Sequence, residues 1–218
     1  MDNQTRFVVA FTALDFLTYC LYNRKSWSKP SPTNRDLAPN PWLWGSWTFL
    51  SSLNASSYHV AGQSLLNAVL AYENAVMCFI TLLIAIRRGI PQALSLRQRV
   101  SLILGVVAGF AWIYFKNAWD ANFILQAGTL ITMIGLCVDL WHNPKLEPTL
   151  PWGLWTIVYT LLTIKVYYFG WNGHWEKIVY PINYILVHLA VWAFTLRRRT
   201  PRALLHEGER PCVAVRTP

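Results

Sequence analysis

Apolar residues run along this chain in seven long stretches, separated by short polar or basic interruptions. The stretches lie near 6–22, 43–60, 63–86, 99–115, 119–140, 152–169 and 178–196. About 20 apolar residues cross a bilayer core as a helix, with about 17 as the lower bound. Lipid offers a bare backbone no hydrogen bonds, so each stretch is predicted to be a helix that satisfies its own amides and carbonyls. Polar positions inside the stretches are also patterned. In the third, Ser64, Asn67, Ala71, Asn74, Cys78 and Thr81 recur every three or four residues and form one small, polar stripe. Glu73 sits about 100° away from it. Thr12, Asp15 and Tyr19 share one face of the first helix, and Asn122, Gln126 and Thr129 one face of the fifth.

A second pattern is longer. "WGSWT" at Trp44 to Thr48 returns as "WGLWT" at Trp152 to Thr156, each after a proline-bearing polar lead. Extending the alignment pairs helices 1–3 with helices 5–7, Glu73 with Asn183, and Cys78 with His188. Three helices reverse the chain's direction an odd number of times, so a second triplet joined directly would insert upside down. Helix 4 restores its orientation. The expected fold is therefore an all-α integral membrane protein: seven transmembrane helices as two parallel three-helix bundles joined by a linker helix. The first bundle is 1–88, the linker with helix 4 is 89–118, and the second bundle is 119–199. A disordered basic tail occupies 200–218. Parallel repeats about an axis along the membrane normal are a transporter construction.

Composition and charge sharpen this. Hydrophobic residues make up 54% and charged residues 13%, with twelve tryptophans; a soluble domain carries about twice that charge. Of the nineteen Lys and Arg, fifteen fall on the side shared by the connections after helices 1, 3 and 5 and the tail. Three fall opposite, and Lys165 lies inside helix 6. Such a bias predicts a multi-pass protein with its N-terminus outside and its C-terminus cytoplasmic. It also assigns the formal charge of +9 to the inner lipid surface and argues against nucleic acid as a partner. Partners are then the bilayer and a small-molecule solute, with a homo-oligomer left open. Cys20, Cys78, Cys137 and Cys212 show neither paired spacing nor histidine companions, so no disulfide framework, metal site or cofactor is expected.

The three-one-three plan, the doubled tryptophan phrase and the proline-led helix starts resemble the SWEET and PQ-loop transporter family. Nicotinamide-riboside transporters share the broad plan. The sole Pro-Gln, Pro91–Gln92, falls in the loop after helix 3 rather than in the first helix of a bundle, which sets this chain apart within the group. The resemblance implies a sugar-type site built on an asparagine from the third helix of each bundle. The matching positions are Asn67 or Asn74 on helix 3 and Asn183 on helix 7.

The leading function is thus a small-solute transporter working by alternating access around a mid-membrane polar site. A sugar, nucleoside or similar neutral solute would meet Asn67, Asn74, Asn183, His188, Asn122 and Gln126. Asp15 and Glu73 are expected to carry a proton or to repel anions. The alternative is a membrane enzyme of the terpene cyclase type, in which Glu73 and Asp15 act as acid and base on a prenyl substrate. Three plainer expectations complete the reading. Trp44 and Trp152 anchor their helices at the inner interface, Lys165 snorkels outward, and the sequon at Asn54 is inert inside its span.

Overall fold

The computed structural model describes residues 2–27, 40–60, 65–88, 96–115, 118–170 and 176–197. Each apolar stretch yields one helix, and among the described residues there is no strand. The helices are α1 (Asn3–Trp27), α2 (Pro41–Val60), α3 (Leu65–Arg88), α4 (Leu96–Phe115), α5 (Ala118–His142), α6 (Thr149–Gly170) and α7 (Glu176–Thr195). A single 3-10 turn, Pro144–Leu146, joins α5 to α6. α1 outruns its apolar stretch because Arg24 and Lys25 are good helix formers, whose long side chains reach water from the last turn. The tail after 197 and its expected disorder lie outside the described residues.

Among the described residues four helical segments are long and apolar enough to cross a membrane: Asn3–Lys25, Ala68–Arg87, Trp119–His142 and Lys177–Thr195. α4 contributes a shorter apolar run, Leu102–Tyr114. The remaining two helices fall short for different reasons. α2 spends its buried face on Ser46, Ser51, Asn54 and Ser57, whereas α6 is rich in Trp and Tyr, whose ring heteroatoms lower hydropathy. The molecule turns large apolar side chains outward and buries many of its polar groups among apolar and aromatic ones. Phe16, Phe79, Leu83, Phe110, Ile113 and Leu186 face outward, while Asp15, Asn74, Asn122, Gln126, Lys165 and His188 are buried. In water that arrangement would strand the apolar surface; in lipid it is the favoured one.

Six helices close a ring. α1 packs on α3, α3 on α2, α2 on α5, α5 on α7, α7 on α6, and α6 back on α1. α4 stands outside, against α5 and α2. Its approach to α2 is close. A Cβ on Gly105 would come within 2.8 Å of the Phe49 ring and 2.9 Å of a Leu50 methyl. Inside the ring, α2 presents Trp44, Trp47, Ser51, Asn54 and Tyr58, and α6 presents Trp152, Trp155, Tyr159, Leu162 and Val166, all buried. Both sets run at spacings of three and four, so each is a single helical face. Two cores result. One gathers the tryptophans of both phrases with Tyr19, Tyr22, Met77, Cys78 and Met133. The other gathers Val8, Phe11, Tyr58, Tyr159, Tyr180 and Tyr184 toward the opposite end.

Candidate functional site

The two tryptophan phrases fold alike. In each, the threonine hydroxyl donates to the carbonyl of the first tryptophan, Thr48 to Trp44 at 2.7 Å and Thr156 to Trp152 at 2.9 Å. In each, the two indoles meet edge-on, at 4.7 Å for Trp44–Trp47 and 5.1 Å for Trp152–Trp155. Tryptophans three residues apart lie on one helical face, and α2 and α6 turn these faces into the ring. There Trp47 meets Trp152 at 6.0 Å, Trp155 meets Tyr19 at 4.9 Å, and Tyr19 meets Trp44 at 6.5 Å. Five rings thus form a closed belt. Edge-to-face contacts of this kind contribute about 0.5–1.5 kcal/mol each beyond area burial.

The belt is part of the wall of a narrow cavity, which continues along the ring interior past Leu50, Ser51, Asn74, Cys78, Thr129, Met133, Tyr184 and His188. The polar groups of this wall are largely engaged with one another. Tyr19 donates its hydroxyl to Asn74 Oδ1. Asn74 Nδ2 donates to Ser51 Oγ at 3.1 Å, and the Tyr19 hydroxyl lies 3.3 Å from Cys78 Sγ. The Thr129 hydroxyl donates to its own helix, to the Leu125 carbonyl at 3.0 Å. His188 stacks on Tyr159 at 5.0 Å, with Trp152, Trp155 and Tyr184 also around it. Its Nδ1 sits 2.6 Å from the Tyr184 carbonyl. A carbonyl only accepts, so Nδ1 carries a proton and donates it there.

The structure sorts the candidate residues into three groups. Asn74 and His188 line the cavity. Asn122, Gln126 and Asn183 form a separate amide chain. Asn122 and Gln126 donate to Asn54 Oδ1 at 2.8 and 2.7 Å, and Asn183 donates to Gln126 Oε1 at 2.8 Å. Asn54, expected from the sequence only as an inert sequon, is the acceptor at which α2 and α5 join. Asp15 and Glu73 form the third group. Asp15 is fully buried one turn from Tyr19 on the same face of α1, and among the described residues neither of its oxygens has a hydrogen-bond partner. Glu73 and the indole N–H of Trp155 are among its polar neighbours. The side chain of Asn67 lies outside the described residues, as does Ser64.

Two expectations are corrected. Trp44 and Trp152 are 1% exposed and belong to the belt inside the ring rather than to the lipid interface. Among the described residues Trp27, Trp42 and Trp141 are the half-exposed tryptophans, and the Arg197 guanidinium lies 3.5 Å from the centre of the Trp141 ring. Lys165 does not snorkel outward: it is fully buried, because α6 is flanked by both α1 and α7. Ser51, Met133 and Tyr184 line the cavity without having been singled out, and Thr129, marked on the polar face of α5, joins them. For Ser51 the signal was present, since Trp44, Trp47, Ser51, Asn54 and Tyr58 mark one face of α2.

Beyond the helices, Glu147 ties the elements together at the tryptophan end. It accepts from the Tyr22 hydroxyl of α1 at 3.3 Å and from the Trp152 indole N–H of α6 at 3.2 Å. Burial of the carboxylate pushes its pKa up to about 7, and the two donors only partly counter this. No protein-family model, curated protein or solved structure matches the chain.

Proposed function

We propose that this chain is an integral membrane transporter of a small solute, working by alternating access between two parallel three-helix bundles. α1–α3 form one bundle, α5–α7 the other, and α4 the linker. The N-terminus lies outside and the C-terminus in the cytoplasm, which puts the tryptophan belt on the cytoplasmic half. The observation that carries this reading is the composition of the cavity wall. Trp44 and Trp47 face Trp152 and Trp155, Cys78 faces its counterpart His188, and Asn74 its counterpart Tyr184. Equivalent positions of the two copies thus meet around one space. The helix ring supports the same reading: exchanging α1, α2, α3 for α5, α6, α7 leaves its order of contacts unchanged. A site on the axis between parallel repeats is where rocking of one half against the other exposes it to each side in turn. Asn74, Ser51 and His188 are its polar contacts; Asn122, Gln126 and Asn183 hold the helices.

The terpene-cyclase reading is kept on one observation. Asp15 and Glu73, from α1 and α3, each carry a buried oxygen without a hydrogen bond among the described residues, beside an aromatic wall able to stabilise a carbocation. Proteoliposomes separate the two. Transport predicts uptake of a solute from a panel of labelled sugars, nucleosides and amines, reduced at least about tenfold by Asn74→Ala. Formation of a cyclised product from a prenyl substrate, with no uptake and loss of product in Glu73→Gln, overturns transport and establishes the enzyme.

A further inference from the structure

The cavity wall has a chemistry of its own. Seven of its thirteen residues are aromatic: Tyr19, four tryptophans, Tyr184 and His188. Its amide and hydroxyl groups are engaged with one another or with backbone carbonyls, so the groups left to a ligand studded with hydroxyls are mainly the indole N–H donors of Trp44, Trp47 and Trp155, which cannot accept from its hydroxyls. Among the described residues no lysine or arginine lines it. A sugar would exchange its water hydrogen bonds for ring faces and lose by it. An organic ammonium has the opposite preference. Its diffuse charge is attracted to the negative faces of indoles and phenols, and more strongly once both are out of water.

A second observation, independent of the rings, points the same way. Asp15 is fully buried, and neither of its oxygens has a hydrogen-bond partner among the described residues. It stands one turn from Tyr19 and beside Trp155, both of which line the cavity. Glu73, the other acid near it, also has an oxygen buried without a partner. An uncompensated carboxylate in such surroundings is costly and is relieved by a cation placed near it. The wall supplies none.

We propose that the chamber is a cage for an organic cation, a quaternary or protonated amine held against the Trp44, Trp47, Trp152, Trp155 and Tyr19 rings with Asp15 behind them. This rests on the transporter reading for its purpose, not for the binding itself, and names the solute class of the same site.

The test uses the full chain in detergent micelles, with choline as the probe and its neutral isostere 3,3-dimethylbutan-1-ol and glucose as controls. Binding is read by calorimetry and by tryptophan fluorescence. The cage predicts saturable choline binding at least about tenfold tighter than the isostere's, and no glucose binding. It predicts about tenfold weaker choline binding in Trp155→Ala, with most of it retained in Trp155→Phe. Asp15→Asn weakens choline binding and leaves that of the isostere unchanged. Should Trp155→Ala fail to fold, Trp47→Phe and Asp15→Asn carry the same comparison. Equal affinity for choline and its isostere overturns the cage, because the wall is then merely apolar. Glucose binding in place of choline overturns it as well. Uptake in proteoliposomes separates the two readings. Choline bound but not carried keeps the cage and removes the transporter; a neutral solute carried with choline unbound does the reverse.

Discussion

Gly45 and Gly153 hold the same place in the two tryptophan phrases yet meet different neighbours. A Cβ on Gly45 would find only a Leu82 methyl at 3.7 Å, whereas one on Gly153 would meet the Trp192 indole at 2.9 Å. Leu82 and Trp192 are themselves counterparts in the repeat. Gly45→Ala therefore gains the helix propensity of alanine, about 0.5–1 kcal/mol, at no steric cost. Gly153→Ala drives a methyl into a rigid ring and loses about 1–3 kcal/mol. Thermal melts in nanodiscs should move in opposite directions for the two variants. Single residues were also where the sequence was least legible. Asn74, Asn122, Gln126 and Asn183 look alike in it, but only Asn74 reaches the cavity, because amide pairing is decided by helices distant in the chain. Lys165 shows the same limit. It is buried on a helix that packs against both α1 and α7, neighbours its own stretch of sequence does not name.

At the level of elements, helix existence was legible almost throughout and helix orientation was not. Seven apolar stretches gave seven helices whose ends differ by a few residues. In water, an apolar face would also have told which side of each helix points inward. In lipid both sides are apolar, so α4 and α7 offer no such guide, and the inward faces are found through polar or repeated residues instead. Asn54 is such a marker. Its Oδ1 receives Asn122 from one turn of α5 and Gln126 from the next, and so locks α2 to α5 across a boundary between the repeats. Asn54→Ala leaves Gln126 Nε2 without an acceptor and Asn122 only the longer contact to Ser57 at 3.4 Å. The expected loss is about 1–3 kcal/mol, toward the lower end if the freed amides find new partners in the membrane. Denaturation by SDS against wild type measures it.

For the whole molecule, closure of the ring depends on α6 returning to α1, and Glu147 is the polar tie at that seam. Its pKa in the folded protein is about 7, against an ordinary 4.5. Between these values the folded state holds a proton that the unfolded chain has released. Stability from this group is complete below pH 4.5, declines as pH rises, and is lost above about 7. Melting temperature plotted from pH 4.5 to 8 should fall over that window in wild type. The slope should flatten in Glu147→Gln and reappear in the difference between the two proteins, and an identical slope in both rejects this role for Glu147.

A closed chain of five rings can come apart only at its joints, and between the two halves it has two. One is Trp47 against Trp152, a single contact at 6.0 Å. The other is Trp155 against Tyr19 at 4.9 Å, backed by Tyr22 at 5.7 Å and by the tie from Tyr22 to Glu147. The joints are unequal: α6 is held more closely to α1 than to α2. In the proposed transport cycle the belt would therefore open first between Trp47 and Trp152 and swing about the tyrosines. The doubling makes the two phrases equal in sequence, and the two tyrosines of α1 make the gap between them lopsided.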